Sequence, residues 1–287
     1  MPAQAQIKLE HKFVEGTKTV THTNMKLKQT LTIAGMNSET ESDRFVIASA
    51  VVGKRDADGK LRVDHQTDKL SVTLKGAASL SFDSDDPNRK ADNAALEPFL
   101  DVMRAMSKAK LTLIHDKSGK VVAVEGLDKI AADVPETLRS DFDEAKYKKN
   151  INQELDRLPA DPVKPEDTWT RTTDLNLGSG QILSMTLEYK YIGATTESGK
   201  TFDKIEAKTT STVFSIADDS KLPIKVAKSD LKPTESSSTL LFDRAAGQWY
   251  STKGKIRIQG DLNLTINGQE LPGKLDLTIE SETTRQP

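Results

Sequence analysis

The chain has 287 residues, of which 36% are hydrophobic, 5% aromatic and 29% charged, with a formal net charge of −2. That length accommodates two ordinary domains or one large β domain with a sizeable core, and a nearly neutral chain without basic blocks interleaved with aromatics argues against nucleic acid as a partner. The absence of cysteine excludes disulfides, thiolate metal sites, cysteine nucleophiles and a lipidated cysteine within this sequence, and no apolar run approaches the roughly 18 residues of a membrane-spanning helix.

The opening Met1-Pro-Ala-Gln-Ala5 lacks the apolar core of a signal peptide but has the small-residue spacing found beside a cleavage site, so the chain is expected to come from an exported protein. From Ile7 to Phe82 apolar and charged residues alternate, as in Met25–Ile33, Phe45–Val52, Leu70–Leu74 and Leu80–Phe82, the pattern of antiparallel strands with one wet face. The period then changes. Phe99, Val102, Met103 and Met106 trace one face of a helix expected over Leu96–Ala109, with Pro98 in its first turn. A hairpin follows over Leu111–Val124, turning at Asp116-Lys-Ser-Gly119. Residues 127–158 return to helical spacing, and the proline-rich exit Leu158–Pro165 marks them as a connector. Alternation resumes at Asp167-Thr-Trp169 and is cleanest at the end, where Ile256, Ile258, Leu262, Leu264 and Ile266 precede a tight Asn267-Gly268 turn and Leu275, Leu277 and Ile279 return.

Two sets of landmarks recur. Gly119 and Gly126 reappear as Gly247 and Gly254, both 128 positions on, and the Gly53–Gly59-Lys60 hairpin reappears as Gly193–Gly199-Lys200, 140 positions on. A repeated turn glycine needs a repeated backbone conformation. The expectation is a mainly antiparallel β, β-rich α+β protein of two tandem homologous curved-sheet or half-barrel units with helical insertions: residues 1–130, a helical connector at 131–162, and residues 163–287.

Candidate chemical motifs reduce to turns. In Gly193–Thr201 five residues stand between the glycines, one more than a phosphate-binding loop has, and an alternating strand follows where that loop needs a helix. With Asp56 and Asp58 on the third and fifth positions of a calcium loop, Lys54 takes the first and His65 the twelfth, so two essential carboxylates are missing. Asp83, Asp85 and Asp86 fit a loop approaching a helix better than a metal cluster. The four histidines, at 11, 22, 65 and 115, lack helical i, i+4 partners and are expected on the surface. No serine occupies a nucleophile elbow, and Asn263 of the formal acceptor Asn263-Leu-Thr265 is expected at a cross-strand position. The face of Phe99, Val102, Met103 and Met106 admits two readings: a helix packed on a sheet, or a lid over a ligand.

The stretch Pro162-Val-Lys-Pro-Glu-Asp167-Thr-Trp169, the Tyr191–Lys200 hairpin and the terminal hairpins together resemble an uncharacterised family of exported bacterial proteins, many of them predicted lipoproteins; Glu166 stands where that family usually has Gly before the Asp. The resemblance implies a periplasmic, outer-envelope or extracellular location, and no activity, cofactor or site residues. The sheet-plus-helix pattern is also similar to the half-barrels of periplasmic lipoprotein carriers, which hold acyl chains between a curved sheet and helices. The function expected is therefore non-catalytic, without cofactor or metal: binding of a lipid or other apolar molecule on a concave sheet, with Phe99, Val102, Met103 and Met106 as candidate ligand residues. The alternatives are a module that docks another envelope protein, which needs a free sheet edge or apolar patch, and a hydrolase.

Overall fold

The computed structural model describes residues 6–286 apart from positions 78, 92, 179, 219, 221 and 267. The Met1–Ala5 match and Asn267 of the last turn therefore lie outside the described residues. In chain order the elements are β1 (Lys18–Ile33), β2 (Met36–Arg55), β3 (Leu61–Lys75), β4 (Leu80–Asp83), α1 (Glu97–Ser107), β5 (Lys110–His115), β6 (Val121–Glu125), α2 (Leu127–Asp133), a 3-10 helix (Glu136–Phe142), α3 (Glu144–Leu155), β7 (Thr168–Gly178), β8 (Gln181–Glu197), β9 (Lys200–Ile216), β10 (Ile224–Asp243), β11 (Gln248–Ile266) and β12 (Gln269–Gln286).

All strands belong to one antiparallel sheet ordered β6-β5-β3-β2-β1-β12-β11-β10-β9-β8-β7, with β4 beside β3. The first and last strands join its halves, pairing from Val20 opposite Gln286 to Ile33 opposite Gly273. Each half winds in the same sense, but only two of the four recurring glycine pairs share a backbone conformation: Gly59 and Gly199, on the β2–β3 and β8–β9 hairpins, and Gly119 and Gly247, on β5–β6 and β10–β11, are left-handed, whereas Gly193 is left-handed and Gly53 is not, and Gly126 precedes α2 at φ +95° while Gly254 lies within β11. The Asp56 and Asp116 turns are alike. In each the Asp Oδ1 accepts from the Lys N–H four residues on, and the intervening Gly N–H donates to the Asp carbonyl.

Alternation sets the two faces. Inward on β12 and β1 point Leu275, Leu277, Ile279, Met25, Leu27 and Leu31, gathered in one apolar cluster with residues from β7 to β11. Outward, ion pairs bridge neighbouring strands: Lys28–Glu41 (2.9 Å), Lys208–Glu188 (2.9 Å), Lys253–Glu282 (3.4 Å) and Arg257–Asp276 (2.7 Å). Apolar inside and charged outside is the reverse of a barrel whose outer band faces lipid. The helices lie on the inner face, where Leu100, Met103 and Met106 of α1 meet Val46, Leu70, Val72 and Phe82.

The sheet is curled, and α3 closes it. Lying flat, its terminal strands β6 and β7 would be about 48 Å apart, ten strand spacings, while a 12-residue helix is only about 18 Å long. Yet α3 bonds to both. Asn152 Oδ1 accepts from Val121 N–H at 2.9 Å and its Nδ2 donates to Val121 O at 3.0 Å, and Glu144 Oε1 accepts from Val124 N–H at 3.1 Å, all on β6. On β7 the Gln153 Oε1 accepts from Asp174 N–H at 3.1 Å, and Lys149 pairs with Asp174 at 2.7 Å. Side-chain amides thus take the place of missing ladder partners on two exposed edges. The connector is the seam of the molecule.

Two further expectations need correction. Residues 8–14 form no strand; the segment instead runs into the interior, burying Leu9 against Leu158, Val163 and Tyr189, while Phe13 packs on Val52 and Leu61. Nor are the histidines all on the surface. His115 is 2% exposed and His65 is largely buried, because both sit at inward positions, opposite Leu61 and Leu111. His11 lies in the buried N-terminal segment, its ring 5.8 Å from Phe242.

Glu166 explains a sequence feature. Its φ is +79°, the left-handed region where a Cβ costs about 1–2 kcal/mol. Glu166→Gly is therefore expected to raise stability by about 1 kcal/mol, less what is lost with the exposed 2.5 Å ion pair to Lys190. A urea midpoint that fails to rise would show the backbone strain to be absorbed locally.

Candidate functional site

Between two plugs the inner face of the curled sheet leaves a partly open hollow. One plug is the cluster of Leu9, Leu158, Val163, Tyr191 and Phe242, and the other that of Leu183, Phe214, Leu262, Leu264 and Leu275. A cavity of about 430 Å³ separates them, walled by strands from β7 to β1 and by Glu154 and Arg157 at the end of α3. In a flat sheet those seven strands would spread over about 29 Å. Curling brings them round one space.

The hollow follows from register. One inward row crosses the sheet as Trp169, Tyr189, Ala207, Ser238, Gly254, Ser281 and Met25, each residue directly opposite the next. Four consecutive members are small, so they leave a trough where neighbouring rows carry bulk. The row on one side includes Tyr191, Ile205 and Leu240, and that on the other Ile256, Ile279 and Leu27. Threonines add a polar strip: Thr23 and Thr283 hydroxyls are 3.0 Å apart, and Thr252 lies next across the sheet.

Aromatic residues bound the trough. Trp169 stacks on Tyr189 at 5.5 Å and donates its Nε1–H to Arg157 O at 2.8 Å. Trp249 stands edge-on to Phe242 at 5.1 Å. Its indole Nε1 and the Arg157 Nε, both on cavity-lining residues, are buried without a hydrogen-bond partner. Burial raises the Tyr189 phenol above its usual pKa and lowers His11 below its own. Such walls can border an apolar body and offer threonine and serine hydroxyls to a polar end, the composition usual for a small-molecule pocket.

The candidate ligand residues lie elsewhere. Phe99 is 44% exposed, Met103 and Met106 pack on the Leu70 and Phe82 cluster, Val102 packs on the Leu111 and Leu113 cluster, and none lines the cavity. Their helix covers the sheet beside the hollow. The lining residues come from strands remote in sequence, and only the long-range register brings them into one row. The glycine loop at 193–199 is a β-bulge and a hairpin turn, and Asn263 donates across its strand pair to Glu270 at 3.1 Å.

No curated protein is similar to the chain in sequence. Among solved structures, lipovitellin, described for its lipid-protein interactions, aligns at a TM-score of 0.45 and 7% identity over 96% of this chain, which spans only 25% of that one. DynF from the dynemicin biosynthesis pathway of Micromonospora chersina aligns at 0.21 and 8% over 98% of this chain and 85% of that one. OpdQ of Pseudomonas aeruginosa aligns at 0.24 and 8% over 94% and 99%. All three TM-scores are below 0.5, and none of these likenesses bears on what this chain does. A family of unknown function, DUF6263, has a profile that matches residues 58–211, more than half the chain and running from the β2–β3 turn through α3 into β9, and the protein belongs to that family.

Proposed function

We propose that this protein is a non-catalytic binder of an amphiphilic molecule, held inside the curled sheet with its apolar part along the Ala207–Ser238–Gly254–Ser281 trough. The observation that carries this reading is the cavity itself: an inward row of small residues, bordered by aromatics, with a strip of threonine hydroxyls beside it. Each methylene buried there contributes about 0.8 kcal/mol, which offsets the cost of ordering a flexible chain. The exported, two-unit protein implied by the repeated hairpins and the sequence resemblance is compatible with such a carrier and stays part of the proposal. Docking by strand addition is less favoured, because α3 occupies both terminal strands.

Filling the trough tests the reading. Ser281→Leu puts a bulky side chain on the cavity floor at an inward position. The wild type is expected to bind the neutral dye Nile red saturably, and the variant at least tenfold more weakly, with thermal stability unchanged or raised as in other cavity-filling substitutions. Saturable binding that survives the substitution would place the dye elsewhere and refute the reading.

A further inference from the structure

The inner face carries a cation that has no counter-ion among the described residues. Arg44 on β2 lies directly opposite Met25, which lines the cavity, and opposite Val72, which belongs to the core under α1. Its position thus continues the trough row by one strand, about 4.8 Å beyond the cavity wall. The neighbouring acids Glu41 and Asp43 are on the other face of the sheet, where they pair with Lys28 and Lys26. Arg44 is largely buried, and among the described residues it makes no ion pair and has Tyr147 of α3 as its one electrostatic neighbour. Its Nε is buried and unpartnered. Its terminal nitrogens have no hydrogen-bond partner among the described residues and are not among the fully buried atoms.

A buried, unpaired guanidinium opposes folding. Two arginines that line the cavity are differently placed: Arg157 has Glu154 at 2.6 Å and Arg285 has Asp243 at 2.7 Å. We infer that the cavity takes a single-chain amphiphile with an anionic head, and that Arg44 receives that head while the chain lies along the trough. The inference rests on the amphiphile-binding function proposed above and adds the charge of the ligand. A guanidinium presents a planar fork of donors that suits carboxylate and phosphate alike, so either head satisfies the geometry.

Displacement of Nile red separates the two claims. Oleate and oleyl phosphate are expected to displace the dye from the wild type at concentrations at least tenfold lower than oleyl alcohol, and inorganic phosphate not to displace it. Arg44→Met, close in length and apolar, is expected to bring the acid-to-alcohol ratio to near one while the dye still binds, and Arg44→Lys to keep part of the preference. A ratio near one in the wild type, or one unchanged in Arg44→Met, would overturn the role of Arg44 and leave the cavity function standing. Displacement by inorganic phosphate would make this an anion site independent of the chain. Absence of saturable dye binding in the wild type would remove the function and the inference together. If Arg44→Met fails to fold, the acid-to-alcohol ratio in the wild type and Arg44→Lys still decides.

Discussion

Lowering the pH from neutral to about 4 is expected to remove about 3 kcal/mol of stability through His65 alone. Burial opposite Leu111 on the inner face, with His115 close by, lowers the His65 pKa from 6.5 to about 4. Above pH 6.5 the imidazole is neutral in both states and contributes no pH dependence. Between 6.5 and 4 the unfolded chain takes up a proton that the folded protein refuses, so stability falls steadily through that window as acid is added. His11 and His115 are depressed by burial as well and add to the loss in the same direction. Urea midpoints at pH 7.5 and 4.5 for wild type and His65→Leu measure the effect. The variant should lose about 2.5 kcal/mol less between the two conditions. Equal losses would mean that His65 protonates freely in the folded state.

Asn152→Leu is expected to destabilise the protein by about 2–4 kcal/mol, although the substitution keeps volume and sits on a helix. The Asn152 amide satisfies both the N–H and the C=O of Val121, a residue 3% exposed, so its loss leaves two buried backbone groups without partners. The consequence is also local. Amide exchange at Val121 and Val124 should accelerate because α3 loses its hold on β6, while the β1–β12 ladder remains protected. A loss below about 1 kcal/mol with unchanged protection would show that α3 is not the seam.

Sequence and structure agree where the signal is local. The two-residue alternation of Leu275, Leu277 and Ile279, the helical spacing of Phe99 to Met106 and the turn glycines at 59, 119 and 199 are fixed by neighbours within a few positions, and those elements appear close to where alternation and punctuation place them. What the sequence hides depends on curvature. Asn152, Gln153 and Glu144 resemble the polar face of a solvated connector helix, and only closure of the sheet turns them into partners for two edge strands. The trough is hidden for a related reason. Alternation says that Ala207, Ser238, Gly254 and Ser281 each point inward, but not that the register aligns them. The same gap conceals the buried histidines, since an imidazole in an alternating strand reads as polar and outward until the facing strand is known.

The central claim is that an acyl chain lies in the trough, and Trp249 is placed to report it. The chain has only two tryptophans, so Trp169→Phe leaves Trp249 as the sole indole, on the cavity wall. Bromine atoms quench indole fluorescence only at short range, so titration of this variant with dibromostearate, against unbrominated stearate as control, measures contact directly. Saturable quenching at one chain per protein, abolished by the additional Ser281→Leu substitution, is the expected result. Quenching no greater than with stearate, or quenching that persists when the trough is filled, would contradict it.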